Sequence, residues 1–208
     1  MTESTEREEG RYMMVSDEPN SLHPRQVLLF SGHMVDAPTR PTPRFPASKE
    51  PMAIQRIAEA LDRLGAGAQD LALTQGACGG DLLFTEVCQQ RGVTVQWLQP
   101  FDEPTFIQKS VVCHSETWLV RYQATKAKLT TEIRSAPREL GPLPAGVDPY
   151  ERCNLWLFET ALSYGLSKVQ FVCLWNGGGG DGPGGTAHMY YEVKRRTGQV
   201  VWIDTRRL

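Results

Sequence analysis

Four short segments of this chain carry small polar or titratable residues, and three of them combine these with glycine. They are Ser31-Gly32-His33, Gly76-Ala77-Cys78-Gly79-Gly80-Asp81, Gln99-Pro100-Phe101-Asp102, and a run from Asn176 through Gly182, Gly184 and Gly185 to Thr186. Glycine lets a backbone take positive φ and approach a ligand closely. Unsatisfied amides at a helix start favour negative charge. Together these features could cradle an anion, most simply a phosphate. The plain alternative is that short strand-to-helix turns favour glycine for geometry alone. Residue types by themselves leave both open.

The titratable residues near these turns carry similar alternatives. Asp81 sits at a predicted helix start, where a carboxylate caps amides and complements the helix dipole. It could also hold a ribose hydroxyl or act as a general base, but its charge would oppose a phosphate on the same amides. Arg40 and Arg44 lie in a Pro-rich stretch, and a planar guanidinium binds phosphate bidentately. Stiffening by proline favours Arg44. His33 has no carboxylate partner visible in the sequence, so ribose contact or polar filling is expected over acid catalysis. Cys78 is flanked by alanine and glycine near a helix start, where a thiolate is favoured, but no base is paired with it. Cys113-His114 is the one Cys/His neighbour pair; it lacks the further ligands of a zinc site, and no metal is expected. Glu86 and Glu192 fall on predicted helices. Glu192 is the carboxylate to consider for glycosidic chemistry, although Arg195 and Arg196 stand at salt-bridge spacing from it.

These residues need elements to hold them. Val27–Phe30 is a fully apolar run, as in strands buried on both faces. Similar strands are predicted at Leu71–Leu73, Val93–Leu98, Val169–Trp175 and Val200–Asp204. Helices fit Met52–Leu64, Gly79–Gln90, Glu151–Tyr164 and Ala187–Thr197 by their apolar spacing. Residues 102–135 read as mixed and largely helical, and residues 136–149 as a Pro- and Gly-containing loop. Alternating strand and helix implies an α/β fold: a Rossmann-like three-layer sandwich with a parallel sheet of about five strands. Ligands in such sheets bind beyond the carboxyl ends of the strands. All four segments above follow a predicted strand.

Composition narrows the function classes. The 208 residues suit one domain, expected over 23–208 with an elaboration at about 102–150. A net charge of −2 gives no footprint for nucleic acid. No apolar run is long enough to cross a membrane. Residues 1–22 are polar and aperiodic and read as a disordered leader without signal-peptide character. Five cysteines, scattered and odd in number, argue against a disulfide framework and for a reducing cytoplasm. No cofactor is implied. A Walker A loop is missing, and although Gly177, Gly179 and Gly182 spell G-x-G-x-x-G, that dinucleotide unit normally opens its sheet.

The segment Thr74-Gln75-Gly76-Ala77-Cys78-Gly79-Gly80-Asp81, followed by a helix, an apolar strand and Pro-Phe, resembles the SLOG superfamily. Ser31-Gly32-His33, Arg44-Phe45-Pro46, Trp175-Asn176-Gly177 and Gly182-Pro183-Gly184-Gly185-Thr186 are similar to the same pattern, over about residues 26–205. The superfamily includes LOG-type phosphoribohydrolases, the DNA-processing protein DprA and ligand-sensing domains of bacterial conflict systems. The resemblance implies a bacterial Rossmann-like domain that binds a nucleotide or nucleotide-derived ligand. Its implied contacts are Ser31, Gly32, His33, Arg44, Gly76 to Asp81, Asn176, Gly182, Gly184, Gly185 and Thr186. Two departures bear on activity. Cys78 stands where the DprA motif usually has arginine, which weakens single-stranded DNA binding. Met189 stands where the LOG motif P-G-G-x-G-T-x-x-E has its glutamate, and Glu192 comes one helical turn later. The expectation is therefore a sensor or ligand-binding domain. The alternative is an enzyme that cleaves the N-glycosidic bond of a nucleoside monophosphate through Glu192 or Asp81. Its expected partner is a nucleotide-type small molecule, and a homo-oligomer is compatible with the aromatic content.

Overall fold

The computed structural model describes residues 23–112, 115–179 and 184–208. The leader at 1–22, the Cys113-His114 pair, and Gly182 with Pro183 lie outside the described residues.

The chain runs β1 (Val27–Gly32), α1 (Glu50–Arg63), β2 (Leu71–Thr74), α2 (Gly80–Gln90) and β3 (Thr94–Gln99). A helical segment follows, with α3 (Glu103–Phe106), a π-turn at Ile107–Val111 and α4 (Thr117–Lys126). Next come β4 (Arg134–Ser135), α5 (Ala136–Leu140), α6 (Pro149–Ser163), β5 (Val169–Trp175), α7 (Thr186–Thr197) and β6 (Val200–Asp204). Six strands form one sheet in the order β4-β3-β2-β1-β5-β6, and every pairing is parallel.

Side-chain alternation explains the three layers. Leu28 and Phe30 of β1 join Val172 and Leu174 of β5 in a cluster with Ile57 of α1, Leu83 and Val87 of α2, and Tyr122 of α4. Val27, Leu29, Phe171 and Cys173 point the other way, into a cluster with Leu157 and Phe158 of α6 and Met189 and Val193 of α7. A strand with both faces covered must be apolar throughout, which is why Val27 to Phe30 are all buried. Among the described residues, no helix is long and apolar enough to cross a membrane.

The fold is the expected Rossmann-like three-layer sandwich, with the strand count refined and one loop expectation corrected. The sheet has six strands, because the two-residue β4 pairs with Leu98 and Gln99 at the edge. Residues 136–149 are not all loop: Ala136–Leu140 is helical, with Pro137 in its first turn. Proline fits there, since an amide at that position would have no helical partner. A two-residue strand shows no periodicity, and a five-residue helix has too few turns to show an apolar face.

Candidate functional site

From β1 the chain works outward through β2, β3 and β4, then returns to pair β5 on the other side of β1. The carboxyl ends of β1 and β5 therefore flank the point where strand order reverses. A cavity of about 410 Å³ opens there. Ser31, Gly32, His33 and Met34 line it from the end of β1, and Gln75, Ala77 and Asp81 from the turn after β2. Gly184, Gly185 and Thr186 line it from the start of α7, with Arg44 on the Pro-rich loop. Phe30, Tyr150 and Trp175 add apolar wall.

The glycines between β2 and α2 serve packing. Gly79 has φ +87°, and a Cβ on it would lie 2.5 Å from the Val35 nitrogen and 2.9 Å from the His33 oxygen. The Gly80 amide donates to the His33 carbonyl at 3.0 Å, and the Cys78 amide to Ser110 O at 2.8 Å. Gly76 has φ +85°, and its Cβ would meet the Trp97 ring at 2.7 Å. Gly76, Cys78, Gly79 and Gly80 thus hold this turn against its neighbours, and none is among the residues that line the cavity. The amides of Gln75, Gly76 and Ala77 are turned to the Asp81 carboxyl, with Ala77 N at 3.3 Å from Oδ2. An internal carboxyl therefore occupies the amides that a phosphate would need at this turn.

Asp81 is 6% exposed and reaches the cavity wall. Burial pushes its carboxyl up to about 7, and the hydrogen bonds from the turn offset this only in part. Burial pushes His33 the other way, down to about 4, against a hydrogen bond with Asn176. Its Nε2 lies 3.1 Å from Asn176 Oδ1, and the same oxygen accepts the Gly178 amide at 3.1 Å. His33 is therefore neutral at pH 7 and ties the turn after β1 to the turn after β5. Asn176 acts through that contact and is not itself among the cavity lining.

Arg44 is presented on a pinned loop. Asp36 Oδ2 accepts the amides of Arg44 and Phe45, each at 2.6 Å, and Phe45 is fully buried. These bonds hold the backbone at Arg44, whose side chain lines the cavity.

The start of α7 is built against α6. A Cβ on Gly184 would collide with Tyr150 Cβ and lie 2.5 Å from Asp148 Oδ1. Asn154 of α6 donates to Gly184 O at 2.7 Å and accepts from Gln75 Nε2 at 2.8 Å. This relay spans the cavity from the β2 turn to the α7 start. Gly185 caps α7 without a side-chain bond, and Ser31 Oγ donates to Thr186 Oγ1 at 3.3 Å. The N-cap of α7 is thus a glycine, whereas that of α6 is Asp148, which accepts the Glu151 amide at 2.8 Å.

Glu192 is not brought to the cavity. It lies two turns into α7, bonded to Arg195 at 2.8 Å, and that bond holds its carboxyl below the usual range. Glu86 pairs with Arg121. The cavity also uses residues that sequence reading missed: Gln75, Ser110, Asp148, Tyr150 and Asn154. The π-turn places Ser110 so that its carbonyl takes Cys78 N while its hydroxyl meets Tyr150 OH at 3.1 Å. Asp148-Pro149 is a legible helix start, since aspartate caps and proline suits the first turn. The others carry no local signal. Among the described residues, no group of three or more His, Cys, Asp or Glu is placed to hold a metal.

Compared with known proteins, the chain matches no protein-family model and no curated protein.

Proposed function

We propose that this protein binds a nucleotide or nucleotide-derived ligand in the β1/β5 cavity, as a sensor or ligand-binding domain of the SLOG type. The observation that carries this is the cavity's place and lining together: a strand-order reversal point that joins a helix start with glycine at its N-cap, an arginine and aromatic walls. Such a crevice is where α/β sheets take their ligands. Its volume is within the usual range for small-molecule sites. The phosphate belongs at the start of α7, beside Thr186, Ser31 and Arg44. It does not belong at the β2 turn, whose amides Asp81 already takes. Apolar walls from Phe30, Tyr150 and Trp175 suit a base and sugar. A bacterial cytoplasm fits four buried free thiols among the described cysteines.

Titration calorimetry tests this with a nucleoside monophosphate and its nucleoside, on wild type and Arg44→Ala. Binding that needs the phosphate and weakens in the variant is expected. Equal affinity for nucleoside and nucleotide would remove the anion from the proposal.

N-glycosidic cleavage is favoured by one observation: a carboxyl with a pKa of about 7 lines the cavity. A general acid or base works best when its pKa lies near the operating pH. The residue would be Asp81, since Glu192 lies elsewhere. Release of free base by wild type, abolished in Asp81→Asn, is the test. Single-stranded DNA binding finds no support in a chain of net charge −2.

A further inference from the structure

The two edges of the sheet are protected unequally. At one edge β4 is two residues long, carries Arg134, and runs straight into α5 with Pro137 in its first turn. Shortness, charge and proline are the usual protections of an edge strand. At the other edge β6 extends over Val200–Asp204 and pairs with β5 alone. Val200 to Ile203 bring neither charge nor proline, only β-branched residues and Trp202. A strand paired on one side turns every second residue's N–H and C=O outward. Among the described residues, no backbone bond formed outside the helices and strands uses an N–H or C=O of Val200–Asp204.

Trp202 is 42% exposed at this edge. Its ring packs on the α7 face, 5.8 Å from Trp175 and 6.2 Å from Tyr190, and its indole N–H donates to Trp175 O at 2.9 Å. The other face of the edge bears a strip of alternating charge. Arg56, Glu59 and Arg63 of α1 line a groove of about 350 Å³ beside Trp202, Ile203 and Asp204 of β6. Their spacing of three and four residues puts all three along one face of α1. Arg56 and Glu59, both well exposed, lie 2.9 Å apart.

We infer that β6 is an interface strand: two copies of this chain pair antiparallel through their β6 edges, so that one sheet continues across a two-fold axis with α1 beside α1. This goes beyond the cavity and does not depend on its ligand. A two-fold axis perpendicular to the sheet sets β6 antiparallel to its copy, brings Trp202 of both copies to the same face, and makes the two α1 helices antiparallel on the other. An axis that crosses α1 between Glu59 and either arginine pairs each Glu59 with an arginine of the other copy. The strip is therefore complementary to itself. Both strands are ordered before they meet, so pairing does not carry the cost of forming them. Exposed ion pairs contribute about 0–1 kcal/mol each, so the backbone bonds and Trp202 supply the affinity, and the charges select register and partner.

Sedimentation equilibrium of the full chain reads the mass, and hydrogen exchange reads where the copies meet. Wild type should have the mass of two chains at micromolar concentration, and the amides of Val200–Asp204 should lose protection on dilution. Glu59→Arg and the double variant Arg56→Glu/Arg63→Glu should each self-associate about tenfold or more weakly. Mixed together, these two should associate with each other at least as tightly as wild type with itself. Trp202→Lys, which places a charge on the edge, should give the mass of one chain. Because Trp202 also holds Trp175 O, the α1 variants keep the test independent of a folding defect. A wild-type mass of one chain would overturn the inference. So would a two-chain mass that all these variants leave unchanged, or protection that dilution alters elsewhere and not at β6.

Discussion

Gln75 and Asn154, 79 residues apart, share a 2.8 Å hydrogen bond across the cavity, and Asn154 passes it on to Gly184 O at 2.7 Å. One buried amide thereby fixes the β2 turn, α6 and the start of α7 relative to each other. Asn154→Ala removes both bonds and leaves partly buried partners unsatisfied. That should cost about 1–3 kcal/mol of stability. Affinity for the cavity's ligand should fall as well. Chemical denaturation and calorimetry on the same variant check the two effects.

The glycines should differ sharply in their tolerance to alanine. A Cβ on Gly184 meets α6, whereas one on Gly179 meets nothing within 4 Å among the described residues, and Gly179 does not require positive φ. Gly184→Ala should therefore cost about 1–3 kcal/mol by overpacking and loosen the start of α7. Gly179→Ala should be close to neutral. Equal effects from the two would show that the run matters as a flexible whole and not through one packed position.

Asp81 and His33 should tilt stability in opposite directions over nearly the same pH window. The folded Asp81 carboxyl, raised to about 7, binds its proton more tightly than in the unfolded chain. Its stabilising contribution is present at low pH and is lost as pH rises through about 7. The folded His33, lowered to about 4, binds its proton more weakly. Its contribution is present above its unfolded value of about 6.5 and is lost as pH falls toward 4. Each effect amounts to up to a few kcal/mol. Relative to wild type, Asp81→Asn should gain stability as pH rises from 5 to 8. His33→Asn should gain it as pH falls from 7 to 4. Denaturation midpoints across pH read both slopes, and matching slopes in the two variants would contradict the assignment.

Arg44→Ala should weaken an anionic ligand about tenfold or more, because charge-assisted bonds from a guanidinium are strong and this one lines the cavity. Glu192→Gln should leave the same affinity unchanged and stability within about 0.5 kcal/mol, as expected for an exposed ion pair. A loss of ligand affinity in Glu192→Gln would mean that α7 moves on binding.

The layers of the fold were legible because both signals were strong: uniformly apolar strands and amphipathic helices in alternation. The candidate site was legible at Ser31 to His33, at Ala77 and Asp81, at Gly184 to Thr186, and at Arg44. Gly76, Gly79 and Gly80 look the same in sequence, yet they face protein. A glycine demanded by a neighbouring backbone and one demanded by a ligand leave the same letter. Asn154 and Tyr150 were invisible because they sit within an amphipathic helix and reach the cavity only through its packing. Ser110 depends on a π-turn, which has no pattern in residue types. Arg44 was legible because proline surrounds it, although the Asp36 clasp that pins its loop was not.

The most direct measurement is the melting temperature against mono-, di- and cyclic nucleotides, ADP-ribose and NAD, repeated on Arg44→Ala. A ligand at 100 times its Kd adds about 2.7 kcal/mol, which should raise the midpoint by about 5–10 °C for a chain of this size. A rise confined to one or two nucleotides in wild type, and reduced in Arg44→Ala, is the predicted result. No rise with any of them would contradict nucleotide binding in the β1/β5 cavity.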